Sequence, residues 1–545
     1  MTEPDAGDLA AATLRVHDVD TVFTLNGGHL WPLYYGCAHA GVRLVDTRHE
    51  QTAAFAAEGW AKVTRRPGVA ALTAGPGVTN GVSAITTAFL NGSPVTIIGG
   101  RAPQARWGSG SLQELDHVPI VASVTKRADT AAAPEQVPGL LDRALRAART
   151  PHRGPTFLDV PLDCWGPSEG RVPDAPEPAR LAGAVPDPEA IERVARLAGR
   201  AHRPVLMAGA DVYWAGAEAE VQAFADATRV PVFVNDMARG VIAADDPLAF
   251  SRARGLAFAE ADLVIVAGTP LDFRLGFGAF GDAAVVHLRD AEPPTAPTVP
   301  RAAETTGDLR RTFAGLTESA ASHGDATART ARDDWLARLR DDEQSRRAAD
   351  ETRLESDATP IDPVRIYGEL RPRLARDAIV VGDGGDFVSY AGRYVDTFTP
   401  GCFVGPGPYG CLGAGMGYAL GAALAHPDRQ VVALFGDGAI GFALGDLDTL
   451  ARHDVNVTAV VGNNGIWGLE KHPMQLLYGE DLVADLAPET RYDLVAAALG
   501  VHGELVHDPA DLGAALDRAL THPGPALVNV LTDPADAYPR RSNLA

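Results

Sequence analysis

Two polar turns stand out because each closes an apolar run. Residues 431–435, Val-Val-Ala-Leu-Phe, end in Gly436-Asp437-Gly438, and residues 457–461, Val-Thr-Ala-Val-Val, end in Gly462-Asn463-Asn464-Gly465. Either turn alone is an ordinary break after a strand. Together they set an anionic oxygen at Asp437 and a neutral one at Asn464 beyond the carboxyl ends of two strands, where ligands of open parallel sheets bind. With a backbone carbonyl such as that of Ile466, this set suits a hard divalent cation that completes its octahedron with diphosphate oxygens. Gly436 and Gly438 let backbone amides approach a diphosphate at a helix N-terminus. The Gly-rich segment 405–417 either offers bare backbone to a flat ring or serves close helix packing. In the first third of the chain, the run 42–47 leads into Arg48-His49-Glu50-Gln51 and an Ala-rich stretch. Glu50 there is either a reacting carboxylate or a first-turn acid that complements the helix dipole.

The elements that must carry these groups follow from hydropathy. Runs rich in β-branched residues at 21–25, 42–47, 69–75, 95–100 and 156–160 alternate with helical stretches, which predicts an α/β fold with a parallel, doubly wound sheet. A Pro- and Ala-rich linker is expected at 171–188, and the alternation resumes at 205–209, 230–235, 263–268 and 284–288. The stretch 318–360 is dense in Asp, Glu and Arg and predicts a solvated connecting helix. A third set of strands is expected at 378–381, 431–435, 457–461 and 526–531. Three such domains result, over residues 1–170, 188–317 and 361–545. Residues 152–163 and 522–533 share His, Gly, Pro, Val and Asp at matching offsets, which suggests that the first and third domains follow one plan.

Composition bounds the partners. A chain of 545 residues is too long for one core and long enough for an enzyme. Its net charge of -22 repels phosphate backbones and anionic membrane surfaces, so nucleic acid and membrane are not expected partners. The four cysteines show neither metal spacing nor the density of a disulfide framework. The acidic start lacks the order of a signal peptide, and no apolar run is long enough to span a bilayer, so a cytoplasmic location is expected.

Gly436-Asp437-Gly438 with Asn463-Asn464, Arg48-His49-Glu50-Gln51, Gly75-Pro76-Gly77-Val78-Thr79-Asn80 and Leu112-Gln113-Glu114 occur together in one order. In them the chain resembles, over nearly its whole length, the thiamine diphosphate-dependent enzymes of the acetolactate synthase superfamily. Their order is a pyrimidine-binding domain, a central domain and a diphosphate- and metal-binding domain. It is most similar to actinobacterial acetolactate synthase-like chains, which share the ending 538–545.

The resemblance implies thiamine diphosphate and Mg2+ as cofactors. Glu50 matches the glutamate that hydrogen-bonds the aminopyrimidine, and Asp437, Asn464 and the Ile466 carbonyl match the metal site. The Gly410 carbonyl and the Leu412 side chain match the positions that receive the 4′-amino group and wedge the two rings; Leu412 stands where many relatives have methionine. His29 matches a turn where relatives present substrate-facing residues, although in its Gly-rich turn it is equally well a structural histidine, and Gln113 matches the glutamine of the family's Phe-Gln-Glu motif, on the thiazolium side. Because relatives bind each cofactor between two subunits, a homodimer or homotetramer is implied.

The expected activity is decarboxylation of a 2-oxo acid followed by carboligation. Residues 441–447 and 271–278, and a carboxylate at Glu470, look closer to the 2-hydroxyacyl-CoA lyase and oxalyl-CoA decarboxylase branch. The alternative substrate is therefore an acyl-CoA, with Glu470 as proton donor or merely paired with Lys471. A rival of another class is a catalytically silent regulatory subunit. The tail residues Arg540, Arg541, Ser542 and Asn543 either meet an anionic substrate or are frayed. FAD in the central domain, near Gly209, Arg252 and Asp290, rests on analogy, since no Gly-x-Gly-x-x-Gly follows its first strand.

Overall fold

Short apolar runs flanked by Gly, Pro or Asp become parallel strands covered by helices on both faces, which is why they need no alternation of apolar and polar residues. The structure, a computed structural model, describes residues 4–176, 183–292, 299–320, 322–323, 326–536 and 538. Part of the expected linker and the tail residues Arg540, Arg541, Ser542 and Asn543 therefore lie outside the described residues.

Three parallel sheets result. The first holds β1 (Thr21–Thr24), β2 (Arg43–Asp46), β3 (Gly68–Leu72), β4 (Val95–Arg101), β5 (Arg127–Thr130) and β6 (Thr156–Pro161) in the order β2-β1-β3-β4-β6-β5. The second holds β7 (Pro204–Ala208), β8 (Val232–Val234), β9 (Leu263–Ala267), β10 (Ala284–Arg289) and β11 (Ala303–Thr306) in the order β11-β10-β9-β7-β8. The third holds β12 (Ile379–Gly382), β13 (Phe403–Val404), β14 (Val431–Gly436), β15 (Thr458–Asn463), β16 (His502–Val506) and β17 (Ala526–Leu531) in the order β13-β12-β14-β15-β17-β16. Counted from its own first strand, the third sheet repeats the order of the first. The two segments with matching residues, β6 and β17, take the same place, last in the chain and one strand in from the edge.

The first and third domains are joined through two helices that run side by side, Glu50–Thr64 and Ala414–Ala425. Small residues let their backbones touch. A Cβ on Gly59 would lie 2.6 Å from the Tyr418 Cα, and one on Gly421 would lie 2.2 Å from the Ala56 carbonyl oxygen. Between them lies a buried ion pair, Glu58 with Lys62 at 3.1 Å. Tyr418 OH, Asn91 Nδ2 and Ser93 Oγ donate to the Glu58 carboxylate, and Lys62 Nζ donates to the Gly405 carbonyl. A buried pair so fully hydrogen-bonded fixes one relative placement of the helices, because any other would leave a charge unpaired.

The long acidic and basic stretch forms a single helix, Ala326–Leu354. It is less solvated than its composition predicts: Arg332, Trp335, Leu336, Leu339, Glu343 and Asp350 are buried. Glu343 explains why a charged helix packs there. Its carboxylate accepts the Ser251, Arg252 and Ala253 amides and so caps the helix Arg254–Glu260.

Candidate active site

The last domain places its two polar turns against each other. Asp437 begins the short helix Asp437–Ile440 directly after β14, and the Gly465 amide after β15 donates to its Oδ2 at 2.9 Å. Burial pushes the Asp437 carboxyl up to about 6, against the opposing pull of backbone amides. A divalent cation on this carboxylate would restore its charged form, so the donor set fits a metal of the Mg2+ kind. Asn464 Oδ1 accepts the Ile466 amide at 3.2 Å, which bends the loop, and the chain is pinned beyond it by Leu486 N to Gly465 O and Trp467 N to Ala484 O. Gly438 is required by contact: a Cβ there would lie 2.4 Å from the Trp467 ring.

Beside this turn, β12 ends in a second Gly-Asp-Gly, Gly382-Asp383-Gly384. Asp383 is fully buried and accepts the Gly384, Gly413 and Gly415 amides at 2.6, 3.0 and 2.9 Å. It thereby shapes the loop that presents Gly410 and Leu412. Gly410 has φ +66° with open space where a Cβ would stand, and Leu412 Cδ2 would lie 2.3 Å from a Cβ on Gly384. An open backbone ending in a packed apolar side chain is a cradle that a flat ring can enter.

In the first domain Glu50 is buried at the first position of its helix, and the Asn80 amide donates to its Oε2 at 3.0 Å. His49, the residue before it, caps the helix by accepting the Gln51 amide. His29 is buried in the turn Gly28–Leu30, 3.4 Å from Thr73 Oγ1, and burial, helped by the nearby His117, holds its imidazole below its usual range. Gln113 adopts a left-handed φ of +59° and backs onto Gly75, where an added Cβ would come within 3.0 Å of the Gln113 Cβ. Glu50, His29 and Gln113 thus border one turn, residues 73–80. His117 and Asp159 are buried behind it and went unrecognised in the sequence. Asp159 sits inside an apolar strand, where a lone acid is a signal, and His117 in a loop, where it carries none.

Glu470 lies exposed in the first turn of the helix Gly468–Tyr478. The expected pairing with Lys471 does not occur, because Lys471 instead binds Asp485 and Asp481.

In the central domain a cavity of about 670 Å3 opens at the carboxyl ends of the strands and reaches Pro406 of the third domain. His287 lines it, donating from Nε2 to the Thr269 carbonyl at 3.0 Å, and burial pushes its imidazole down to about 4. Its Nδ1 is then a bare acceptor, and like Asn235 Oδ1 it has no hydrogen-bond partner among the described residues. Of the residues expected near a flavin, Asp290 lines this cavity. Arg252 does not; its guanidinium is held by Asp350 at 2.9 Å. Gly209 packs against Thr269, with no room for a Cβ.

Comparison with known proteins agrees with this layout. Residues 4–120 match the N-terminal TPP binding domain of thiamine pyrophosphate enzymes, residues 191–316 the central domain, and residues 383–530 the C-terminal TPP binding domain. The chain is 53% identical to the acetolactate synthase large subunit IlvG of Mycobacterium tuberculosis over 99% of this chain and 98% of the relative. A probable acetolactate synthase of Mycobacterium bovis matches to the same extent. The chain belongs to the thiamine pyrophosphate enzyme family. Within that family it is an acetolactate synthase-like enzyme, and its cofactors are thiamine diphosphate and Mg2+. The 2-hydroxyacyl-CoA lyase 2 of Homo sapiens is 32% identical over 92% of this chain and 85% of its own length. Among the described residues, no helix of this thiamine pyrophosphate enzyme is long and apolar enough to cross a membrane.

Proposed function

We propose that the enzyme decarboxylates a 2-oxo acid and joins the remaining unit to a second carbonyl compound, as an acetolactate synthase does. The observation that carries this is Glu50, buried at a helix start and held by the Asn80 amide. A carboxylate so placed can take and hold a proton bond at a pyrimidine nitrogen and can do little for stability that an exposed acid could not. When bound, thiamine diphosphate supplies a nucleophilic carbon and an electron sink for cleavage next to a carbonyl. Asp437, Asn464 Oδ1 and the Ile466 carbonyl would hold Mg2+, with Gly436 and Gly438 giving the diphosphate access to backbone amides. The Gly410 carbonyl would receive the 4′-amino group, and the Leu412 side chain would pack against the rings. His29, kept neutral by burial, orients the substrate carbonyl, and Gln113 lies across from it.

Two copies of the chain complete each site, as a homodimer or a homotetramer. Apolar side chains beside the site residues support this, since Leu112 is 79% exposed next to Gln113 and Leu476 is 85% exposed on the helix of Glu470. A nucleotide in the central cavity, FAD by analogy, would meet His287 Nδ1 and Asn235 Oδ1, and flavin absorbance of the purified protein reads it directly.

A second activity, cleavage of a 2-hydroxyacyl-CoA, is favoured by one feature, the exposed Glu470, which has no basic partner among the described residues and is available as a proton donor. Incubation with pyruvate, thiamine diphosphate and Mg2+ followed by an acetoin colour test separates the two. Acetolactate is the expected product; aldehyde released from a 2-hydroxyacyl-CoA, with no product from pyruvate, makes the lyase the function.

A further inference from the structure

His117 is wholly buried, yet it takes no part in the chemistry assigned above. The Gly75 amide donates to its Nε2 at 2.9 Å. A backbone amide can only donate, so Nε2 carries the lone pair and the proton sits on Nδ1. Nδ1 faces both oxygens of Asp159, at 3.1 Å each, and Asp159 is itself wholly buried. The second tie of Asp159 is Arg101 Nη1 at 2.8 Å, which also binds Asp116 at 3.0 Å and stacks on Trp107. The turn after β3 is thus tied to β6 through one imidazole in one tautomer, and Asp159 carries the tie on to Arg101 at the end of β4. A carboxylate behind a histidine selects the tautomer and fixes the ring in the same way in metal sites and catalytic triads.

The wiring ends at the reacting groups. Gly75 has φ +59° and starts the helix Pro76–Asn80, and from the far end of that helix Asn80 reaches the Glu50 carboxylate. Gln113 rests on the other side of Gly75. Without an acceptor the buried Gly75 amide would be orphaned, and the turn would move to satisfy it. A protonated imidazole would be equally unsuitable, since it would set one donor against another.

We propose that His117 is a positioning residue: as the neutral Nδ1–H tautomer chosen by Asp159, it holds the Gly75 amide and so sets the turn that fixes Glu50 and seats Gln113. This rests on the role given to Glu50 above.

The test compares His117→Phe, which keeps a ring and loses the acceptor, with His117→Gln, whose side-chain oxygen can accept. In protein without cofactor, His117→Phe should speed amide exchange of the peptide covering 73–80, while His117→Gln keeps it slow. With cofactor, kcat should fall up to about a hundredfold in His117→Phe with thiamine diphosphate affinity within about threefold of wild type, and His117→Gln should recover most of it. Wild-type exchange and kcat in His117→Phe, or equal impairment in both variants, overturns the proposal. Should His117→Phe fail to fold, 15N-histidine NMR of the native protein decides, with the signal assigned by its loss in His117→Gln: a protonated Nε2 overturns the assignment and a protonated Nδ1 upholds it. Full turnover in Glu50→Gln would instead remove the role of Glu50, and the exchange and tautomer results would still decide whether His117 holds Gly75.

Discussion

Two neighbouring strands, β12 and β14, end in the same three residues, Gly-Asp-Gly, and the two aspartates have opposite fates. Both are buried, and burial pushes both up to about 6. Asp383 has both oxygens engaged by backbone amides at Gly384, Gly413 and Gly415. Asp437 takes the Gly465 amide on Oδ2, and it stands at the open end of β14, where a ligand can approach it. The first domain repeats the contrast: Asp159 is consumed by His117 and Arg101, whereas Glu50 gives one oxygen to Asn80 and keeps the other. A carboxylate saturated by the fold is part of the scaffold; one saturated on a single oxygen is available to cofactor or metal.

Substitutions should separate the two kinds of acid. The largest effect is expected for Asp437→Asn, which should weaken Mg2+-dependent uptake of thiamine diphosphate by about a hundredfold or more in calorimetry while the fold persists. Unchanged uptake would put Asp437 in the same class as Asp383. Glu50→Gln should bind cofactor as wild type does and lose turnover by on the order of a hundredfold, the usual scale for lost acid-base assistance; steady-state kinetics at saturating cofactor reads it. Asp383→Ala should act on stability instead, lowering the urea unfolding free energy of the cofactor-free protein by about 1–3 kcal/mol through amides left without an acceptor.

A pH series sharpens the comparison. Both aspartates titrate higher in the folded chain than the ordinary value near 4, so the folded state binds more protons between about pH 4 and 6. The stabilising contribution is full below about pH 4 and lost as pH rises through about 6, by about 3 kcal/mol per group. Subtracting the curve of Asp437→Asn from that of wild type isolates the share of Asp437. Mg2+ with thiamine diphosphate should abolish this share and leave that of Asp383; a share that survives loading would mean no cation reaches Asp437. The smallest effect is expected for Glu470→Gln. With no partner to lose, it should leave stability unchanged and alter turnover less than about tenfold, a shift in product ratio by chromatography being its signature.

The interior strands were legible because burial on both faces demands continuous apolar runs. All four strands without such a run, β5, β11, β13 and β16, lie at sheet edges. One side of an edge strand meets solvent, so β5, Arg-Ala-Asp-Thr, is half-buried throughout and β11, Ala-Glu-Thr-Thr, alternates. Charge density marked the helix Ala326–Leu354 but hid its buried side, since Arg332 and Glu343 are buried through backbone partners distant in the chain. Of the proposed site residues, Asp437, Asn464 and Glu50 are marked in the sequence by strand-end turns. Asp383 carried the same signal as Asp437 and was not singled out. His117 carried none, because its partners, Gly75 and Asp159, are each 42 residues away.

Residue order alone determined the three repeated sheets, the excess of acid, the family and the turns that carry the proposed reacting oxygens, because these depend on local hydropathy and on groups only a few positions apart. Tertiary structure decided which of the buried acids remain available to a ligand, that Lys471 turns away from Glu470, and that one imidazole ties the turn after β3 to β6. Each of these depends on which amide or guanidinium a distant part of the chain delivers, and residues paired across a parallel sheet lie at least one crossover apart in sequence.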